Sequence, residues 1–344
     1  MRVGKAGPTR ADAGYLSDVN AQREPAVAIQ AALAGLDPGR WLLAVSGGRD
    51  SMVLLHAFAR ARGHEVAAVA TFDHGTGSAA RRAAALVERE AERLGLPVVL
   101  GASAAALPFN EGAWRAARHA FLDAWAAELD ATVVTAHTRD DQVETVVQRL
   151  LRDAGPRGLA GMRADGGPGA APRARPLLTV PRATVAAYAA AHRVPFVEDP
   201  SNDSPAFQRN RVRHELLPAL ERARPGFAEW CWELGERAAA WRASSDALVR
   251  RLGVTVPEPG CCVVPAAPLA RCAAPEWAAL WPAVAALAGV VMDRRGIARA
   301  AEWAPRARAG QRIQLAGQAG IARTRATFVV KGTTEARSDY IFDQ

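Results

Sequence analysis

Residues 44–51 read Ala-Val-Ser-Gly-Gly-Arg-Asp-Ser, between an apolar run (Trp41 to Val45) and a helical pattern (Met52 to Arg60). Gly47 and Gly48 leave the backbone uncrowded and open to positive φ, so main-chain N–H groups can turn toward an anion. Ser46 and Ser51 add hydroxyl donors, and a helix start adds the positive end of its dipole. That is the chemistry of a pyrophosphate cradle. The spacer and the Gly-Lys-Ser/Thr ending of a Walker A loop are missing. Asp50 is out of place among anions unless a divalent cation lies between its carboxylate and the phosphates, which makes it the expected metal contact. A glycine turn with no ligand is the competing reading.

A second set follows an apolar run at 131–136. His137, Asp141 and Glu144 stand four and three residues apart, so an early helix start would put them on one face. An imidazole and two carboxylates there can hold Mg²⁺ or orient a nucleophile. Thr138 with Asp141 three residues on also has the spacing of a capping box, which needs no ligand. Arg115 and Arg118 lie three apart on a predicted helix and can clamp a phosphate. Arg209, Arg211 and Arg213 alternate in a basic run that can follow a phosphate backbone.

These residues need a frame. Strand-like runs at 41–45, 65–72, 97–101 and 131–136 alternate with helical stretches near 50–61, 79–94, 112–128 and 139–152. Such alternation predicts an α/β fold, a doubly wound parallel sheet of Rossmann type covered on both faces. Ligands of such sheets sit beyond the carboxyl ends of the strands. The glycine turn, Asp73-His74 and His137 all fall at that end. Residues 155–173 read as a long Gly/Pro-rich loop, followed by a helix start at Pro181 and a short strand over Val194 to Val197. From about residue 207 the pattern turns helical and rich in Arg and Trp, with a small β element over 311–331. Three segments are expected: an extension over 1–24, the α/β domain over 25–220, and a mostly helical second domain over 221–344. Trp230, Trp232, Trp241, Trp277, Trp281 and Trp303 read as core packing first and as base-stacking surfaces second.

The chain has 344 residues and a formal charge of +8, carried almost wholly by arginine, since Lys5 and Lys331 are the only lysines. With so many alanines beside it, the preference for arginine is also what a GC-rich genome would give and carries little weight; the positive sign fits an anionic partner such as RNA. The four cysteines form no CxxC pair, so neither a zinc ribbon nor an iron–sulfur site is indicated, and no disulfide framework is expected. Residues 1–24 lack an apolar core, and no run reaches the ~18 apolar residues of a membrane span. These features point to a cytoplasmic protein.

Ser46-Gly47-Gly48-Arg49-Asp50-Ser51 resembles the signature of the PP-loop, or N-type, ATP pyrophosphatases. The ordered set narrows the resemblance to the tRNA(Ile)-lysidine synthetase family. It comprises Asp73-His74-Gly75, Arg115 with Arg118, and Ala136-His137 with Asp140-Asp141-Gln142 and Glu144-Thr145. It continues through Arg157-Gly158-Leu159-x-Gly161-Met162, Arg175-Pro176-Leu177-Leu178, Val197-Glu198-Asp199-Pro200-Ser201-Asn202, Arg209-Asn210-x-Val212-Arg213 and Leu217-Pro218. The likeness spans about residues 40–220. Thr76-Gly77-Ser78 departs from the usual leucine-arginine pair, His119 stands for the usual tyrosine, and the larger C-terminal domain of longer members is not seen.

The resemblance implies an ATP- and Mg²⁺-dependent ligase. It adenylates the wobble cytidine of a tRNA(Ile) with a CAU anticodon and then joins free lysine to C2. It implies a nucleotide set of Ala44, Ser46, Gly47, Gly48, Arg49, Asp50, Ser51, Thr71 and Arg115. The implied catalytic set is Asp50, Arg118, His137, Asp141 and Glu144, with Asp50 on the metal. The implied tRNA contacts are Arg157, Arg209, Arg211 and Arg213. Oligomeric state, a homodimer included, stays open. Another PP-loop tRNA-modifying enzyme or a non-catalytic RNA-binding relative are the alternatives. The absence of cysteine from the α/β segment speaks against a thiolase, and the intact turn with Asp50 speaks against a non-catalytic relative.

Overall fold

The computed structural model describes residues 24–73, 75, 77–102, 111–165, 172–198, 207–315 and 319–332. The extension expected over 1–24, apart from Glu24, lies outside these residues, as do His74, residues 166–169 and residues 199–202. The chain divides into two compact units. One comprises Met1–Asp141 with Ala171–Ser204, the other Gln142–Ala170 with Pro205–Gln344. Residues 142–170 and 205–220 thus group with the C-terminal part.

In chain order, a helix α1 runs through residues 24–34, followed by β1 (Trp41–Ala44), α2 (Arg49–Arg62), β2 (Val66–Asp73), α3 (Ser78–Arg93) and β3 (Val98–Ala102). Then come α4 (Glu111–Glu128), β4 (Thr132–Val134), α5 (Arg139–Leu150), α6 (Pro156–Leu159), β5 (Arg173–Ala174) and α7 (Arg182–Ala191). The strands form one sheet in the order β3-β2-β1-β4-β5, every pair parallel. This is the expected doubly wound sheet. The order reverses between β1 and β4, and the crevice at such a reversal is where these sheets take ligands. β1 is apolar throughout because both its faces are covered. Leu43 packs with Ile29, Leu33, Met52, Phe58, Leu86 and Val185 on one side, while Leu42 packs with Ala68, Leu122 and Ala126 on the other. Each such buried aliphatic contributes about 1.5–3 kcal/mol relative to exposure.

Two details differ from the sequence expectation. The loop over 155–173 contains α6, and its last residue, Arg173, joins the sheet with Ala174 as β5, a strand too short to show periodicity. Residues Val194 to Val197 form no strand; instead the Val197 N–H donates to the Gly47 carbonyl at 2.9 Å.

The end of α2 is tied to the chain before β1 by one ion pair. The Arg62 guanidinium donates to the Leu33, Leu36 and Asp37 carbonyls and to both Glu65 carboxylate oxygens. Glu65 also accepts from Trp41 Nε1 at 2.9 Å and Gly39 N at 3.2 Å. The Arg62 hydrogen bond, with help from Trp41 and Gly39, holds the Glu65 carboxyl down at about 2, against an ordinary value of 4.5. A depressed carboxyl stabilises the fold above its unfolded value and loses that contribution as pH falls toward the folded value. Glu65→Gln is therefore expected to be less stable than wild type at neutral pH. The gap should close between about pH 4.5 and 2. Urea midpoints across this range check it; a gap independent of pH would show that packing, not charge, is what Glu65 supplies.

The second unit holds α8 (Gln208–Arg211), a π-helical turn (Val212–Leu216), α9 (Leu217–Ala223) and α10 (Phe227–Arg251). Beyond them lie β6 (Thr255–Glu258), β7 (Cys261–Pro265), α11 (Ala274–Leu287), α12 (Arg294–Trp303), β8 (Arg312–Gln314), β9 (Gly320–Arg323) and β10 (Thr327–Lys331). These strands form an antiparallel sheet in the order β6-β7-β10-β9-β8. The β6–β7 hairpin lies within the stretch that reads as helical in the sequence. Trp277 and Trp281 are buried, their rings 5.8 Å apart and both edge-on to Phe328. For these two the core reading holds. Among the described residues no helix is long and apolar enough to cross a membrane.

Candidate nucleotide-binding and catalytic site

The turn after β1 is built as a cradle. Gly47 has φ +83°, and a Cβ placed on it would sit 2.7 Å from the Ala83 Cβ, 2.8 Å from the Ala83 carbonyl oxygen and 2.9 Å from its Cα. Only glycine fits there. Ser51 Oγ accepts from Ser46 N at 3.2 Å and donates to the Gly48 carbonyl at 2.8 Å, closing the turn over itself. α2 then starts from Gly48 with no side-chain cap. A helix start left without a cap, at the ligand end of a parallel sheet, presents N–H groups and dipole to an anion. Ala44 ends β1, and Thr71 is buried in β2 beside it. Gly47→Ala is expected to destabilise the unit by about 2–4 kcal/mol through left-handed backbone strain and the clash. Ala83→Gly should not rescue it, because the main chain of residue 83 is itself in the way. Gly48→Ala, whose Cβ meets only Ser46 Oγ at 3.7 Å, should melt within about 1 kcal/mol of wild type. Thermal melts without nucleotide decide; equal losses at both glycines would refute the steric argument.

Asp50 lies in the first turn of α2. Its carboxylate is 3.6 Å from Arg49 Nε and 3.7 Å from Arg182 Nε. Arg182 opens α7, and its Nη2 donates to Asp141 Oδ1 at 2.7 Å while its backbone N donates to Asp140 Oδ2 at 2.7 Å. One arginine thus bridges Asp50 and Asp141. Sequence reasoning missed Arg182, which belongs to no short motif; the helix start marked by Pro181 was its only trace. Asp141 is buried, and its Oδ2 accepts from both the N–H and the hydroxyl of Thr138. The reach-back half of the capping box is thus present, and the ion pair to Arg182 is added to it. α5 begins at Arg139, so His137 stands outside the helix, its Nδ1 2.9 Å from Thr135 Oγ1.

Arg115 and Arg118 on α4 belong to a positive cluster with Arg173 and Arg175. Burial first, then these four guanidiniums, push the His119 imidazole down to about 3. It is neutral at physiological pH. Arg173 is anchored by Asp123 Oδ1 at 2.6 Å. Such a field suits a bound anion.

The remaining candidates lie in the second unit. Glu144 is 2% exposed. Its Oε1 accepts from Arg213 Nε at 2.7 Å, and its Oε2 accepts from Arg213 Nη2 at 2.9 Å and Arg209 Nε at 3.0 Å. Two of the three arginines read as a phosphate track therefore hold a carboxylate, with the π-helical turn beginning between them. Arg211 is exposed. Arg157 pairs with Asp246 at 2.7 Å. The Gly158-Leu159-x-Gly161-Met162 motif has a local explanation. The Gln142 side-chain amide donates to the Ala160 and Met162 carbonyls and accepts from Met162 N, and a Cβ on Gly161 would meet it at 2.5 Å.

An α/β unit with this strand order and an uncapped glycine turn defines a class, the PP-loop ATP-binding proteins. The family model of the PP-loop domain matches residues 21–220. The tRNA(Ile)-lysidine synthase of Pseudomonas aeruginosa is 41% identical over 197 residues, 56% of this chain and 44% of that protein. That of Alkalilimnicola ehrlichii is 40% identical over 226 residues, 64% of this chain and 50% of that protein. That of Salinispora arenicola is 42% identical over 247 residues, 69% of this chain and 74% of that protein. The chain belongs to the tRNA(Ile)-lysidine synthase family. It spans about half the length of the first two relatives. The U34-tRNA thiolase of Methanococcus maripaludis shares the fold, with a TM-score of 0.53 at 15% identity over 64% of this chain and 80% of its own.

Proposed function

We propose that the chain is an ATP-dependent ligase that joins lysine to C2 of the wobble cytidine of a tRNA(Ile) with a CAU anticodon, releasing pyrophosphate and AMP. The observation that carries this reading is the glycine turn with Asp50, bridged through Arg182 to Asp141, in a chain of this family. ATP suits the cradle because Gly47 admits no side chain and α2 starts uncapped. Among the described residues no cluster of three or more His, Cys, Asp or Glu could cage a metal. A single carboxylate fits Mg²⁺, which keeps waters and shares its shell with phosphates. Bound there through Asp50, Mg²⁺ would neutralise charge on the departing pyrophosphate.

The turn amides, Ser46 and Ser51 hold the phosphates, and Arg115 and Arg118 face the charge that develops as pyrophosphate leaves. Adenylation places AMP on the C2 oxygen of the cytidine. The lysine side-chain amine, once deprotonated, attacks C2, and AMP departs with the oxygen. A carboxylate must attract the ammonium and take its proton. Asp141 and Glu144 are assigned this role, with His137 positioning the nucleotide or the amine. Arg157, Arg209, Arg211 and Arg213 are assigned to tRNA, Arg209 and Arg213 also fixing Glu144. The site of action is the cytoplasm. Purified protein with ATP, Mg²⁺, labelled lysine and a CAU-bearing tRNA(Ile) transcript tests the reading; absence of label from the RNA, with ATP still consumed, would favour another PP-loop reaction.

A further inference from the structure

Val194 to Val197 read as a strand in the sequence but join no sheet. They lie against the glycine turn instead. The segment follows Arg193, whose φ of +50° turns the chain back at the end of α7. At its start the Val194 N–H donates to the Ala189 carbonyl at 2.9 Å, and the Val194 side chain is buried. Phe196 and Val197 pack against the core that holds Val45 and Met52. Held in this way, the segment offers two groups to the turn. The Val197 N–H donates to the Gly47 carbonyl at 2.9 Å, and the centre of the Phe196 ring lies 6.0 Å from the Arg49 guanidinium.

The first contact sets a direction. The 47–48 peptide is trans, and the C=O and N–H of a planar trans peptide point opposite ways. Holding the Gly47 carbonyl on Val197 therefore turns the Gly48 N–H away from the segment, and among the described residues that N–H meets no acceptor. Glycine tolerates either sign of φ, so Gly47 by itself fixes this peptide plane less than another residue would. The second contact steadies a charge. Arg49 Nε is buried, has no hydrogen-bond partner among the described residues and stands 3.6 Å from Asp50 Oδ1. An aromatic face attracts a guanidinium without occupying its N–H donors, which leaves them for a ligand.

We propose that Phe196 and Val197 are positioning residues for the triphosphate of ATP: Val197 aims the Gly48 N–H at it, and Phe196 holds the Arg49 guanidinium beside it. This rests on the ATP-binding part of the proposed function and on nothing about tRNA or lysine.

The test is equilibrium binding of ATP, inorganic pyrophosphate and AMP to the full chain with Mg²⁺, beside thermal melts without nucleotide. An ester in place of the Val197 amide removes the N–H and keeps the side chain. It should weaken ATP and pyrophosphate about two- to tenfold and leave AMP unchanged. Val197→Pro makes the same deletion genetically; if it does not fold, the ester carries the test. Val197→Ala keeps the N–H, so it should melt lower yet bind all three as wild type does. Phe196→Leu should weaken ATP and pyrophosphate about two- to fivefold, while Phe196→Tyr, which keeps the ring face, should bind like wild type. A merely structural segment would lower the melting temperature and leave the folded variants binding ATP equally, which overturns the proposal. A loss shared equally by AMP also overturns it, because the effect would then lie at the nucleoside end. If the wild-type chain binds neither ATP nor pyrophosphate, the cradle and this proposal fall together. If binding divides as stated but labelled lysine never enters the RNA, the ligase reading falls and the positioning roles stand.

Discussion

Asp50→Ala is expected to reduce ATP-dependent pyrophosphate release by at least about a hundredfold while the chain stays folded. A carboxylate in the first turn of α2 gains from the helix dipole, and its two arginines stand at 3.6 and 3.7 Å, beyond hydrogen-bond reach. Both contributions are worth about 1 kcal/mol or less at a partly exposed site. A loss of that size in a chain whose melt is unchanged would belong to the reaction. If Asp50 holds Mg²⁺, Asp50→Asn should shift the magnesium dependence of pyrophosphate release upward. If Asp50 acts only by placing Arg182, then Arg182→Gln should reproduce the loss and Asp50→Asn should leave the magnesium dependence alone. Pyrophosphate release at the wild-type rate in folded Asp50→Ala would end the assignment.

Glu144→Gln should divide the two chemical steps. The carboxylate is 2% exposed and binds two guanidiniums through three hydrogen bonds, so neutralising it leaves Arg209 and Arg213 facing an amide. With the arginines themselves 22% and 27% exposed, the stability loss is expected near 1–3 kcal/mol, below that of a fully buried pair. This exceeds the few tenths of a kcal/mol that a dipole-favouring surface acid would cost. If Glu144 also holds the lysine amine, adenylation should survive better than lysine transfer, and the lysine concentration required should rise about tenfold or more, the loss of roughly 1.4 kcal/mol or more of binding. Melts and lysine titrations of both proteins separate the two contributions. A lower melting temperature with unchanged lysine dependence would reduce Glu144 to an anchor for the two arginines.

Much of this was legible in the chain because it is local. Gly47 needs a left-handed φ, Ser51 closes a turn within five residues, and the Asp141 carboxylate accepts from the Thr138 N–H three residues back. Such chemistry is written in adjacent letters. The parallel sheet was legible too, because strands covered on both faces must be apolar throughout. β5 was not, since two residues carry no periodicity.

What only the tertiary structure decided is which charges meet. Arg182 reaches Asp141 across 41 residues and also approaches Asp50; Arg209 and Arg213 reach Glu144 across 65 and 69. Read as spacing alone, Arg209-x-Arg211-x-Arg213 is an even phosphate track. Folded, two of its members serve a buried carboxylate and Arg211 stays exposed. The physical reason is that burying a carboxylate costs several kcal/mol unless a cation comes with it. The fold therefore spends its arginines where acids are buried, and no pattern along the sequence says where that is.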